Sequence, residues 1–269
     1  AIKDEATPGC QIMVAKEGKV IYQKAFGHHT YQPNAVPVQL EDLYDLASIT
    51  KVAATTLSLM YLYDLRMFQV NRRMTEYLPE LDTTNKSDLL VRDVLIHKAG
   101  LKDWIPFYVP TIVDTIKEEY YCSESNSFYS VEVAENLYIA CTAEDSIYCQ
   151  IFYSDVKQDP KYRYSDLGFY LFKDIIERLT NQPMEEFVHN QFYRRLGLNT
   201  MTYLPREKFS LNRIVPTELD TVFRKQLVHG YVHDQGAAMM GGVSGHAGLF
   251  SNANDLTILF QMLLNRGNY

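Results

Sequence analysis

The sequence predicts an α/β chain of the α+β type: an antiparallel sheet flanked by helices, with a helical or inserted region beside it. Three observations carry this. Two short apolar runs, 11–16 and 19–26, meet at Glu17-Gly18 and read as a β-hairpin. Several later stretches space their apolar residues three or four apart, as amphipathic helices do. A strand pair combined with many helices favours helices packed on a sheet. No internal repeat and no low-complexity segment interrupts the pattern, and residues 1–269 read as a single domain.

The elements follow in order. After the hairpin, 27–40 is polar and holds Pro33 and Pro37, so it reads as loop. A helix is expected from Ser48, with Val52, Thr56, Leu59, Met60 and Tyr63 on its buried face. Residues 89–97 read as a short helix stopped by Gly100, where a left-handed cap suits glycine. Residues 102–160 lack strong periodicity except around 131–139. They read as an excursion over a cleft, part of a helical or inserted region spanning about 55–163. Leu167, Leu171, Ile175, Ile176 and Leu179 mark another amphipathic helix, ended by Asn181-Gln182-Pro183. A short helix over 184–193 comes next, and 206–242 reads as loop. Ser251 is a candidate N-cap for a last helix over 253–264.

Composition narrows the function. The 269 residues are 46% hydrophobic and carry a net charge of −7, with no basic run, so nucleic acid is excluded as an expected partner. No stretch of 18 apolar residues occurs, so no membrane span is expected. No signal peptide is visible, and Ala1 in place of Met suggests a mature protein or an excised domain. The four cysteines, Cys10, Cys122, Cys141 and Cys149, form no CxxC pair. Cys141 and Cys149 could close a small loop in an oxidising compartment. Many of the 20 tyrosines fall between Phe107 and Tyr170, either as amphipathic packing or as a cleft wall.

The chemistry centres on Ser48-Ile49-Thr50-Lys51. A serine and a lysine three apart on a helix share a face. Ser48 falls in the first turn, where the backbone dipole is positive. The Lys51 amine one turn on can accept or relay the serine proton, and a tyrosine from elsewhere can complete the shuttle. That is a recipe for acyl transfer through a serine ester. The alternative is a plain capping serine. Two Tyr-Ser-Asp runs could supply the tyrosine. Tyr164-Ser165-Asp166 leads into a strong helix, which gives a catalytic group firm backing, whereas Tyr153-Ser154-Asp155 leads into a turn through Pro160. Tyr164 is therefore the candidate, and Tyr162 is expected to pack.

Other motifs yield less. His229 and His233 are four apart, but Gly230 and Gly236 argue against the helix a metal pair needs. His28 and His29 read as solvent-facing. Gly242-Val243-Ser244-Gly245 misses the nucleophile-elbow pattern because His246 stands where a glycine should.

Several runs occur together in one order: Pro8-Gly9-Cys10, Gly18-Lys19-Val20-Ile21, the Ser48 motif, His97-Lys98-Ala99-Gly100-Leu101, Tyr164-Ser165-Asp166-Leu167-Gly168 and Leu196-Gly197-Leu198-Asn199-Thr200. With them the chain resembles the serine β-lactamase and penicillin-binding-protein superfamily, in its class C and esterase-like branch. Val215-Pro216-Thr217-Glu218, Gly230-Tyr231-Val232-His233-Asp234 and Gly245-His246-Ala247-Gly248-Leu249-Phe250-Ser251 add a finer likeness. They resemble the module that some Bacteroidetes carry after a glycoside hydrolase family 3 domain. The resemblance implies a β-lactamase/transpeptidase-like fold and a serine hydrolase of the β-lactamase, D-Ala-D-Ala carboxypeptidase or esterase type. It implies Ser48 as nucleophile, with Lys51 and Tyr164 as acid and base. The expected substrate is an ester or amide, in a cell-wall peptide, an acylated sugar or a β-lactam, with no cofactor and no metal. An extracytoplasmic site and fusion to a glycosidase follow by the same implication. The alternative is a non-catalytic glycan- or peptide-binding module.

Three further residues are expected to bind substrate. Asp166 stands where the family often has asparagine; a carboxylate accepts but cannot donate, and it would pair with Lys51 instead. His246 and Gly248 fit the letters of the family's third motif, a Lys or His, any residue, then Gly, on an edge strand. The competing expectation is that this motif lies beyond residue 269, that the C-terminal strands are missing, and that His246 is a loop histidine bracing the site.

Overall fold

The computed structural model describes residues 1–113, 115–158 and 161–268. Strands β1 (Gly9–Lys16) and β2 (Lys19–Gly27) form the expected hairpin, paired from Gly9↔Gly27 to Lys16↔Lys19. Glu17 (φ +52°) and Gly18 (φ +72°) make the two-residue turn. Two positive φ angles match the twist of the flanking strands. Ile12, Val14, Val20, Ile21 and Tyr22 are exposed.

Strand β3 (Tyr44–Asp45) leads directly into the Ser48 helix and pairs antiparallel with Phe250–Ser251. This pairing brings residues 244–249 beside the Ser48 helix, although almost 200 residues separate them in sequence. The helix starts as a 3-10 turn, Ala47–Ile49, passes through a π-helical stretch, Lys51–Thr56, and continues as α1 (Leu57–Asp64). Its buried apolar residues are Ala53, Ala54, Leu57, Leu59 and Leu62, while Val52, Met60 and Tyr63 are exposed. This corrects the expected face. A π turn inserts one extra residue and so shifts the apolar phase that regular helical spacing predicts.

Helix α2 (Val91–Leu95) is shorter than expected. It ends at His97 (φ +58°) rather than Gly100, with His97 N donating to Val94 O and Lys98 N to Asp93 O. These two bonds are the Schellman pattern, here with a histidine at the left-handed position usually held by glycine. Helix α3 (Ala143–Phe152) and helix α4 (Leu167–Thr180) follow. In α4, Leu167, Leu171, Ile175 and Ile176 are fully buried, and Asn181 (φ +53°) ends it as predicted. Gly168 sets the approach of α2 to α4: a Cβ there would stand 2.3 Å from Val94 Cγ1.

The 55–163 region is not wholly helical. It contains a three-stranded antiparallel sheet in the order Tyr121–Cys122, Leu137–Ala140, Tyr129–Ala134. Along 129–133 the side chains alternate between partly or fully buried and exposed, the period of a strand half-covered by its neighbours. Asp159 and Pro160, the end of the turn after Tyr153-Ser154-Asp155, lie outside the described residues.

The 206–242 stretch is mostly loop, with a short strand pair and one helical turn, Gln235–Met239, capped by Asp234. The last helix, Ala253–Leu264, is capped by Asn252, whose side chain accepts from Asp255 N, and not by Ser251. Ser251 is engaged in the strand paired with β3. All four cysteines are free. His29 is also not solvent-facing: it is buried, 2.7 Å from Asp42 Oδ2.

Candidate active site

The nucleophile candidate sits on a strained turn. Ala47, just before Ser48, has φ +44°, a left-handed conformation that costs a non-glycine residue about 1–2 kcal/mol. Asp45 holds it there. Its Oδ1 accepts from Ala47 N at 2.7 Å and its Oδ2 from His233 N at 2.6 Å. Burial raises the Asp45 carboxyl above its ordinary value, against the lowering effect of those two N–H groups. The turn leaves Ser48 exposed while Lys51, one turn on, is buried.

The predicted catalytic residues converge. Lys51 Nζ donates to Ser48 Oγ at 2.8 Å, and Tyr164 OH donates to the same oxygen at 2.8 Å. Lys51 also donates to His246 O at 3.1 Å and lies 2.6 Å from Asp166 Oδ1. Its Nζ stands 5.0 Å from the centre of the Tyr164 ring, close enough for cation–π attraction. Tyr164 remains 41% exposed, open to a ligand. Asp166 precedes α4 and is fixed through its backbone, its N donating to Asp103 O. The rival run is elsewhere. Tyr153 is exposed, Ser154 O accepts from Lys86 Nζ, and Asp155 pairs with Lys102.

One site residue escaped the sequence reading. His97 lies against Tyr164, ring centres 4.6 Å apart, and its Nδ1 accepts from Ser165 N at 3.1 Å. Burial lowers its pKa below the ordinary histidine value, and the charge of Lys51 lowers it further. The available signal was the short helix stopping in His97-Lys98-Ala99-Gly100, which read as a glycine cap.

His246 and Gly248 do not take the places expected of an edge-strand motif. Residues 244–249 form no strand; the strand begins only at Phe250. The His246 ring is buried, with Nδ1 2.8 Å from Ser244 Oγ and Nε2 2.8 Å from Asp234 Oδ1. It stacks on Tyr170 with ring centres 4.1 Å apart. Both ring nitrogens are thus engaged inside the protein, so the imidazole has no unpartnered nitrogen to offer a substrate. Gly248 (φ +115°) packs against Gly242 O and the Tyr203 ring, too close for any Cβ. Its glycine is required by packing. Burial pushes the Asp234 carboxyl up, but His246, through its charge and hydrogen bond, together with Ala237 N and Lys51, holds it well below the usual carboxylate range.

The two remaining histidine candidates have structural partners. His229 Nε2 lies against the Leu211 and Ile214 carbonyls, and His233 Nε2 is 3.3 Å from Glu218.

Comparison with known proteins places this geometry. An N-acetylmuramyl-L-alanine amidase of Bacillus subtilis (strain 168) is 31% identical over 97% of this chain and 60% of its own. A putative D-alanyl-D-alanine carboxypeptidase of Escherichia coli (strain K12) is 31% identical over 99% of this chain and 62% of its own. The chain therefore spans about three-fifths of the length of these relatives. A class C beta lactamase from Rhodobacter sphaeroides shares the fold, with a TM-score of 0.68 at 16% identity over 100% of this chain and 64% of that one. An octameric penicillin-binding protein homologue from Pyrococcus abyssi gives 0.69 at 20% identity over 98% and 54%. These likenesses make the fold β-lactamase/transpeptidase-like. The description "Beta-lactamase" fits residues 1–269 from end to end, and the chain belongs to that family.

Proposed function

We propose that the chain is a serine hydrolase working through a covalent acyl-enzyme. The observation that carries this reading is the meeting of Lys51 Nζ and Tyr164 OH on Ser48 Oγ, each at 2.8 Å. Ser48 Oγ attacks a carbonyl carbon, and its proton passes into the Lys51–Tyr164 pair. The pair returns a proton to the leaving nitrogen or oxygen, and water then repeats the sequence to release the acid and restore Ser48. The Ser48 N–H, in the first helical turn, is the donor best placed for the developing oxyanion.

The substrate we favour is an amide or ester of a cell-wall peptide, or an acylated sugar. Two relatives of 31% identity bear the names N-acetylmuramyl-L-alanine amidase and putative D-alanyl-D-alanine carboxypeptidase, which supports this reading. A β-lactam is the second reading, favoured by the shared fold with class C enzymes and opposed by the carboxylate at Asp166. Cell-wall chemistry would place the protein outside the cytoplasm. No described helix is long and apolar enough to cross a membrane. The run through Gly245-His246-Ala247-Gly248 supports a further proposal, that the chain accompanies a family 3 glycosidase. The non-catalytic glycan- or peptide-binding alternative predicts no acyl-enzyme at all. The test is a screen of the full-length protein with p-nitrophenyl esters, nitrocefin, D-Ala-D-Ala peptides and a muramyl peptide. Turnover that vanishes in Ser48→Ala supports the proposal. Binding without turnover of any of them rejects it.

A further inference from the structure

Away from Ser48, the structure holds a second serine, histidine and aspartate in hydrogen-bonded order. Ser244 Oγ meets His246 Nδ1, and His246 Nε2 meets Asp234 Oδ1, both at 2.8 Å. The residue types are those of a hydrolase triad, but the two ring nitrogens are exchanged, since there Nε2 meets the serine and Nδ1 the aspartate. Burial removes that reading. Ser244 and His246 are almost wholly inaccessible, so no acyl donor reaches Ser244 Oγ.

The backbone of the same segment points to another role. Three consecutive carbonyls each accept from a side chain: Ser244 O from Tyr203 OH at 3.0 Å, Gly245 O from Thr55 Oγ1 at 2.6 Å, and His246 O from Lys51 Nζ at 3.1 Å. Two of these donors, Lys51 and Thr55, lie one turn apart on the π-helical stretch. The His246 ring is locked between Tyr170 and Asp234, and Asp234 is anchored in turn as the cap of Gln235–Met239. An ionised Asp234 can only accept, so His246 Nε2 carries the proton. His233, next to Asp234, donates its N–H to Asp45, which holds the Ala47 turn. One loop, 233–234, thus grips both the turn before the nucleophile and the carbonyl beside its lysine.

We propose that Asp234 and His246 are positioning residues that hold the His246 carbonyl where it keeps the Lys51 amine on Ser48. The physical need is clear. A lysine side chain is long and flexible, and its ammonium is a point charge with three rotatable donors. Asp166 Oδ1, at 2.6 Å, draws it by charge. The neutral His246 carbonyl supplies a fixed competing acceptor, and Ser48 Oγ is the amine's other hydrogen-bond partner. Without that carbonyl in place, Lys51 keeps its contact with Asp166 and drifts off Ser48, which loses the amine that relays its proton.

The proposal rests on Ser48 being the nucleophile, and its test separates the two ideas. Wild type, His246→Ala, His246→Gln and Asp234→Asn are treated with a fluorophosphonate, which esterifies the reactive serine and releases fluoride. Wild-type labelling at Ser48 tests the nucleophile alone. We expect His246→Ala and Asp234→Asn to label about 10- to 100-fold more slowly, the range a displaced catalytic group costs. For an ester substrate, kcat should fall while KM stays within about twofold. His246→Gln, which keeps an amide donor for Asp234 and a polar partner for Ser244, should recover most of the loss. A folded His246→Ala protein that labels at the wild-type rate overturns the proposal, as does a change confined to KM. A crystal structure of Asp234→Asn gives a readout independent of any reaction. Lys51 Nζ is expected to leave Ser48 while staying on Asp166; an unchanged 2.8 Å contact to Ser48 overturns the proposal even if no variant is ever labelled.

Discussion

Lys51 Nζ and Asp166 Oδ1 are 2.6 Å apart, in a pair whose side chains are only 5% and 18% exposed. The carboxylate is therefore tied to the amine and offers a ligand acceptors alone. An asparagine amide there could donate to a substrate carbonyl, and an ionised aspartate cannot. Asp166→Asn supplies that donor and frees the amine from a full negative charge. The variant is expected to raise the rate of acylation by nitrocefin relative to cleavage of p-nitrophenyl acetate. A wild type that hydrolyses nitrocefin well, and loses that activity on substitution, would show the donor argument to be wrong.

Ser48 is expected to be the sole residue modified by a penicillin-like or fluorophosphonate probe. Ser48→Ala should abolish turnover and leave the fold intact, because the side chain is exposed. Lys51→Ala and Tyr164→Phe should each cost roughly 10²–10⁴ in rate, the span for losing a positioned acid or base. Peptide mapping by mass spectrometry decides: an adduct on Ser165, Ser244 or Ser251 contradicts the assignment.

His97 is expected to matter through Tyr164, whose ring it backs at 4.6 Å. His97→Asn keeps a residue that tolerates φ +58° but removes the ring. Activity should fall about tenfold through a lower kcat, with little change in thermal stability near neutral pH. The acid limb should also change. The folded protein binds a proton at His97 less readily than the unfolded chain, whose histidine titrates near its ordinary value. Between the two values the unfolded state holds more protons, so stability rises with pH and is fully present above the ordinary histidine value. It is lost as pH falls through that window. Thermal midpoints measured from pH 5 to 7 should slope upward in the wild type and less steeply in His97→Asn.

The hairpin, α4 and the Ser48–Lys51 pairing were legible because each rests on local signals, and the candidate Tyr164 stood out by the strong helix that follows it. Glu17-Gly18 names its turn, Leu167 to Ile176 keep one helical period, and the serine and lysine sit one turn apart. The misses have physical causes too. The π stretch Lys51–Thr56 breaks the period from which a buried face is read, so Val52, Met60 and Tyr63 were placed on the wrong side. His97 adopts a glycine conformation that its side chain does not advertise. Besides Ser244, the partners of the His246 ring come from Asp234 and from Tyr170 of α4, contacts that no local pattern encodes. Its letters resembled a strand motif, but its neighbours made it part of a packed turn.

Gly245 provides a test of how tightly that turn is set against the catalytic helices. A Cβ built on it would stand 2.1 Å from Phe169 O and 3.1 Å from Thr55 Oγ1. Phe169 O is backbone in α4, the helix that Asp166 precedes, so it cannot rotate out of the way. Gly245→Ala must therefore push residues 244–246 away from α4 and from Lys51. Overpacking of this kind typically costs about 1–3 kcal/mol. The thermal midpoint is expected to drop by several degrees, and Ser48 labelling to slow more than the stability loss accounts for, since the His246 carbonyl moves with the chain. Labelling is best compared well below both midpoints, where each protein is fully folded. A variant that is destabilised yet labels at the wild-type rate would show that the turn packs on the Ser48 helix and α4 without positioning Lys51.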